Sequence, residues 1–202
     1  MPRISGEQKA RNREKIVAAA GERFRTRGID AVGIDEVMSA AGMTHGGFYN
    51  HFTSKKDLAI EVLHQGFTDS LGDVDTIVGD HPQSAAAALE GIIDTYLTAA
   101  HRDHPETGCA SATLAVDAAR HGIDAQTEYV RGLDGYLSTI AKLIGAADRS
   151  DGADDPARAR EAAIALFSQM VGALIISRAV VSAAPRLSDE IIASARRHAL
   201  RG

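Results

Sequence analysis

One cysteine, five prolines and no tryptophan are what this chain of 202 residues has least of. A single thiol, Cys109, excludes an intrachain disulfide and any zinc site built from several cysteines. Scarce proline, no low-complexity tract, and 45% hydrophobic against 24% charged residues argue against disorder and for a compact fold. The apolar run that a membrane span needs, roughly 18 residues, is also missing. Its best candidate, residues 164–181, is interrupted by Ser168, Gln169, Ser177 and Arg178. The start, MPRISGEQKARNREK, is basic and polar and lacks the apolar core of a secretory signal. These absences predict a soluble protein that stays in the cytoplasm and does not enter a membrane.

What is present is unevenly distributed. The formal net charge is −5, yet residues 1–64 carry 10 Lys and Arg against 8 Asp and Glu, and the first 27 residues carry 8 against 3. The remainder is acidic, 12 against 19. A basic leading segment on an acidic chain suits a protein with one end facing a polyanion, and equally a solvated helix face rich in arginine.

Apolar residues recur at three- and four-residue spacing almost throughout, and the alternation of half-buried strands is nearly absent, so the fold class is all-α. Nine helices are predicted, near 7–27, 34–41, 44–52, 54–78, 83–101, 107–121, 124–147, 156–183 and 188–200. In the first, Ile16, Val17, Ala20 and Phe24 share one face and arginines cover much of the rest, with Gly28 as its cap. Thr44 is placed to cap the third helix, and Ser54 with Asp57 forms a capping box for the fourth. Pro82, Pro105, the stretch 148–155 and Pro185 punctuate the rest.

Two short helices joined at Ala41-Gly42-Met43-Thr44, after a longer basic one, have the layout of a helix-turn-helix. Gly42 supplies the turn and Met43 an apolar plug, while Phe48 and Phe52, four apart, face the core. His45, Gly46, Gly47 and Asn50 are the small and polar groups that a helix entering a DNA groove presents. The two glycines cost a helix roughly 1 kcal/mol each; close approach of the backbone to DNA, or a short helix held by tertiary packing, would account for them.

The segments REKIVAAAGERFRTRG and IDEVMSAAGMTHGGFYNHFTSKKDL resemble the amino-terminal domain of TetR-type transcriptional regulators, over about 45 residues. The resemblance implies an amino-terminal DNA-binding domain, 1–53, and a ligand-binding and dimerisation domain, 54–202. It assigns DNA contact to Thr44, His45, Gly46, Gly47, Tyr49, Asn50, His51 and Lys55. Tyr49, His51 and Lys55 suit phosphates, Thr44 sits at a helix start where anions are favoured, and His45, Gly47 and Asn50 suit base edges. Val32-Gly33 departs from the family, which usually has threonines there that cap the second helix and touch a phosphate.

The expected function is a homodimeric repressor released from a palindromic double-stranded DNA operator by a small, largely apolar effector. The helix near 162–181, apolar nearly all round, would serve both its own core and a twofold partner. Tyr96, Cys109, Thr113 and Gln169 are the polar candidates for the effector pocket, with Asp117, Tyr129 and Tyr136 beside them. An alternative is a thiol-based redox or electrophile sensor at Cys109, whose place near a helix start favours the reactive thiolate. His101, His104 and Cys109 have no spacing that fixes a metal geometry, and neither a metal nor a cofactor is expected. No nucleophile elbow, phosphate loop or paired carboxylates point to an enzyme.

Overall fold

The computed structural model describes residues 6–148 and 155–200, so most of the loop expected at 148–155 lies outside the described residues. Every regular element among them is helical: α1 Gly6–Arg27, α2 Ile34–Ala40, a 3-10 helix His45–Asn50, α3 Lys55–Asp80, α4 Ala85–Tyr96, α5 Ala99–Asp103, a 3-10 turn Pro105–Thr107, α6 Ala110–Thr113, α7 Ala115–Arg120, α8 Ile123–Asp148, α9 Pro156–Val180 and α10 Pro185–Ala199.

The all-α class stands, but the helices are cut more finely than the periodicity predicts. The expected helix 83–101 breaks at Leu97, because Thr98 caps a new helix by accepting the His101 N–H at 3.0 Å. The expected helix 107–121 begins only at Ala110 and breaks again at Leu114. There the Thr113 hydroxyl bonds back to the Cys109 carbonyl at 3.1 Å, a local bond that competes with the helix ladder. Pro185 opens α10 instead of ending the segment before it, since a proline's missing N–H is no loss in a first turn. Asp155 starts α9 by accepting the N–H groups of Ala157 and Arg158, each at 3.1 Å.

The chain divides into two compact units. One comprises the residues up to Phe67 together with Pro105–Val130; the other comprises Thr68–His104 and the residues from Arg131 onward. The first therefore extends beyond residue 53. Its core holds Ile16, Phe24, Ile29, Met38, Phe48, Leu58 and Leu63, all fully buried. The second unit buries Ile93, Leu97, Ile140, Met170 and Leu174 as completely. There α9 packs along α10, Tyr136 stacks on Phe167 at 4.8 Å, and Ser188 donates to the Ser177 carbonyl at 2.9 Å. By length and composition α9 is also apolar enough to cross a membrane, but Ala163, Phe167, Met170 and Leu174 are spent on packing inside the unit.

Candidate nucleic-acid interface

The turn that presents the interface is made by Gly42. Its φ of +72° is one that L side chains rarely adopt. The Gly42 N–H donates to the Ser39 carbonyl at 3.0 Å and the Met43 N–H to the Met38 carbonyl at 2.8 Å, the paired bonds that close a helix end around a left-handed residue. The chain then runs extended through Thr44, at φ −88° and ψ 152°, into His45–Asn50. Two expectations are corrected here. Thr44 occupies the cap position but makes no side-chain cap bond, and the element that follows is six residues of 3-10 helix, not nine of α-helix. Gly46 and Gly47 lower the preference for α-helix, and a short tight turn tolerates them.

This short element is fastened from the inside. Phe48 is fully buried and stacks on Phe52 with ring centroids 5.6 Å apart. Arg13 of α1 binds three things at once. Its guanidinium grips the Glu61 carboxylate, with Nε 2.9 Å from Oε1; it donates to the His51 carbonyl; and it lies 4.0 Å above the Phe52 ring. Forked donation with a flat stacking face is what arginine offers and lysine does not. Sequence reading counted Arg13 only as part of a basic face, since nothing local reveals a bond across 38 positions.

Facing outward, Tyr49 is 61% exposed. His45 gives its Nδ1 to the Asp35 carboxylate on α2, with the Tyr49 ring edge-on at 6.1 Å. Beside them lies a cleft of about 390 Å3 lined by Lys9, Asn12, Met43, Thr44, Gly47, Asn50 and His51. The His51 Nδ1 is buried without a hydrogen-bond partner. Burial, then the charges of Lys9 and Arg13, hold the His51 imidazole below its ordinary range. The cleft thus combines a cation, an amide, a hydroxyl and a neutral imidazole in a positive field, a set of groups suited to an anionic oxygen.

Thr44, Gly47, Asn50 and His51 of the expected contact set meet at this cleft, and His45, Gly46 and Tyr49 lie on the same element. Lys55 stands apart at the start of α3, its Nζ 3.4 Å from the Asp30 carbonyl. Ser54 and Asp57 do form the expected cap there, with the Asp57 N–H donating to Ser54 Oγ at 3.1 Å. Lys9 and Asn12 were not foreseen, because their relevance depends on where α1 passes the turn.

The four pocket candidates are not gathered in one unit. Thr113 and Cys109 are neighbours in the first unit. Cys109 is 5% exposed, and its Sγ accepts the Ser111 N–H at 3.4 Å at the head of a single four-residue turn. Tyr96 and Gln169 belong to the second unit. Tyr96 is buried with its ring 4.6 Å from His101 and 6.2 Å from Phe167. Gln169 instead donates to the Ala195 carbonyl at 3.0 Å and lines a shallow groove of about 620 Å3 between α9 and α10, with Gly172, Ile176, Leu187 and Ile191. Among the described residues there is no group of three or more His, Cys, Asp or Glu side chains that could hold a metal ion.

Residues 16–62 match the family model described as bacterial regulatory proteins, tetR family. A transcriptional repressor of Rhodococcus jostii, KstR2, is 33% identical over 97 residues, 48% of this chain and 47% of that protein. The activator FasR of Mycolicibacterium smegmatis is 33% identical over 85 residues, 41% of this chain and 39% of that protein. The chain thus matches about half the length, or less, of these curated relatives. A TetR transcriptional regulator from Chloroflexus aurantiacus superposes on 96% of this chain and 95% of its own with a TM-score of 0.80, at 19% identity, which establishes a shared fold. Residues 16–62 are thus similar to the amino-terminal domain of the TetR family, and the chain as a whole shares the fold of a TetR regulator. The matched segment spans the Gly42 turn, the 3-10 helix, Lys55 and the buried face of α1 from Ile16 onward, and leaves out Lys9 and Asn12 on the far side of the cleft.

Proposed function

We propose that the protein is a homodimeric DNA-binding repressor that reads duplex DNA through residues 44–55 and releases a palindromic operator when a small, largely apolar effector binds. The observation that carries the reading is the cleft beside the 3-10 helix, where Lys9, Asn12, Thr44, Asn50 and His51 line a space that suits a phosphate oxygen. Such a contact sets the register of the turn on the backbone, while Asn50 and His45 beside it reach toward base edges. Repression is the direction that the similarity to KstR2 supports. A regulator of this kind works in the cytoplasm, beside the chromosome.

Twofold pairing is supported by the groove between α9 and α10, because Ile164, Ile175, Ile176 and Leu187 remain 40–55% exposed on these two helices. Aliphatic side chains left open along a helix pair suit a second copy of the same pair. An effector would act by favouring one arrangement of the two readers, and DNA must then weaken effector binding by the same factor. The thiol-sensing alternative at Cys109 is disfavoured, since its sulfur is buried and already accepts a backbone N–H.

The deciding experiment is selection of duplexes from a random library by the purified protein. A palindromic consensus bound by two copies, with Asn50→Ala changing which sequence wins and Lys9→Ala weakening all sequences alike, supports the reading. Recovery of no consensus defeats it.

A further inference from the structure

The corner where α7 meets α8 makes no DNA contact in the reading above, yet two of its side chains hold the loop after α1 and the start of α3, and a third lies against that loop. Asp117 Oδ1 accepts the Ile29 N–H at 2.8 Å. A Cβ on Gly28 would stand 3.3 Å from that same oxygen, so Gly28, at φ +81°, both turns the chain and makes room for the carboxylate. His121 Nε2 lies 3.3 Å from the Asp30 carboxylate. Asp124 takes the Lys56 ammonium at 2.6 Å. The Asp30 carbonyl is also the group that receives Lys55. All of these residues lie in the first compact unit.

Of the three, the Asp117 bond has the most consequence. Ile29 is fully buried, so its amide has no water to turn to if the carboxylate leaves. The exposed Lys56 and Asp124 can each be solvated separately.

We propose that Asp117 is a positioning residue for DNA reading: its grip on the Ile29 amide makes the α7–α8 corner one mechanical piece with the helix-turn-helix. A displacement of α7 then passes directly to the turn between α1 and α2 and, through Asp30, to Lys55. The inference rests on the DNA-reading function proposed above.

The test is hydrogen exchange of the full chain with and without a duplex obtained by selection, on the wild type, Asp117→Asn and Asp117→Ala. Asparagine keeps an oxygen that can accept the Ile29 N–H; alanine keeps none. Duplex should slow exchange over residues 44–52 and also over 115–124. In Asp117→Ala the slowing should persist over 44–52 and vanish over 115–124, with duplex affinity down roughly tenfold. Asp117→Asn should restore both. If Asp117→Ala fails to fold, the wild-type and Asp117→Asn measurements still decide. Slowing confined to 44–52 in the wild type overturns the coupling and leaves DNA reading intact. A duplex that slows neither segment overturns DNA reading, and this inference with it. Retention of wild-type affinity and slowing by a folded Asp117→Ala also overturns it.

Discussion

The 3-10 helix with its cleft and the groove between α9 and α10 are both open surfaces, but they differ in chemistry. At the first, the open groups are Lys9, Asn12, Thr44, Asn50 and His51. At the second, Gly172, Ala173, Ile176, Leu187, Ile191 and Ala195 form an apolar strip flanked by Ser168, Gln169, Glu190, Ser194 and His198. Polar groups at an open cleft lose little by staying in water and gain most from a partner bringing fixed charge. Exposed isoleucine and leucine gain only by leaving water, roughly 25 cal/mol for each Å2 covered. The difference suits the two kinds of partner proposed above, duplex DNA and a second copy of the chain, and each surface can be broken without touching the other.

The largest effect should come from the apolar surface. Ile176 is 55% exposed, so Ile176→Glu should leave the thermal midpoint of the isolated chain nearly unchanged while placing a charge inside a twofold contact. Sedimentation should show monomers, and duplex affinity should fall about 100-fold or more as the second half-site stops contributing. A variant that remains dimeric would move the interface elsewhere. Leu174 is unsuitable for this purpose, although the sequence pattern puts it on the same apolar stripe. It is fully buried within its own unit, and a charge there would unfold the chain whether or not a partner exists.

Next in size is a break behind the reading surface. Arg13→Ala removes the Glu61 pairing, the bond to the His51 carbonyl and the stacking on Phe52 together. It should cost about 1–3 kcal/mol in chemical denaturation and about 10-fold or more in duplex affinity. Arg13→Lys should recover little of either, because an ammonium cannot bridge three partners at those positions. Full recovery by lysine would mean that charge alone is what α1 supplies.

Arg13 also shows where sequence reading stops. Periodicity and glycine placement made α1, the Gly42 turn, the buried Phe48 and Phe52 and the Ser54–Asp57 cap legible, because each depends on residues within a turn or two. The divisions at Leu97 and Leu114 were not legible, since they arise from Thr98 and Thr113 side chains choosing local backbone partners over the ladder. Lys9, Asn12 and Arg13 became visible only once α1 was placed beside the reading turn. For the pocket, the pattern of polar residues on apolar faces distributes its members over both units, Cys109 and Thr113 in the first and Tyr96 and Gln169 in the second, because it carries no information about which faces meet. Gln169 turned out to serve the α9–α10 groove.

A smaller effect separates the two surfaces by pH. Burial and the neighbouring Lys9 and Arg13 charges lower the His51 pKa in the folded chain, whereas in the unfolded chain it titrates near 6.5. As the pH falls through 6.5 the unfolded chain takes up the proton first, so the stability that His51 contributes is present above that value and lost below it. A phosphate seated in the cleft reverses the preference by favouring the imidazolium. Duplex affinity should therefore rise about fivefold between pH 7.5 and 6 while thermal stability declines, and His51→Gln should flatten both trends. Dimerisation should not follow this profile. An affinity that falls as the pH is lowered would remove His51 from the phosphate contact.

The smallest effect tests the glycines of the reading turn. Gly46 has a negative φ, and a Cβ built on it meets nothing within 4 Å. Its own chain therefore gives no reason for glycine. Gly47 comes close to the same position, with the Met38 Cε at 3.6 Å in ordinary contact. Where the native backbone is already one that alanine adopts, Gly→Ala stabilises by about 0.4–1 kcal/mol, by reducing the freedom of the unfolded chain. Gly46→Ala should thus raise the midpoint of denaturation slightly. If the backbone at Gly46 approaches DNA closely, the same methyl should lower duplex affinity several-fold, so stability and binding would move in opposite directions from one added carbon. If instead the glycine is merely tolerated by a short packed helix, affinity should stay unchanged or rise with stability. Gly172 in the α9–α10 groove is the matching control: its Cβ also meets nothing within 4 Å in one copy, so Gly172→Ala should spare the isolated chain and weaken only the pairing of two.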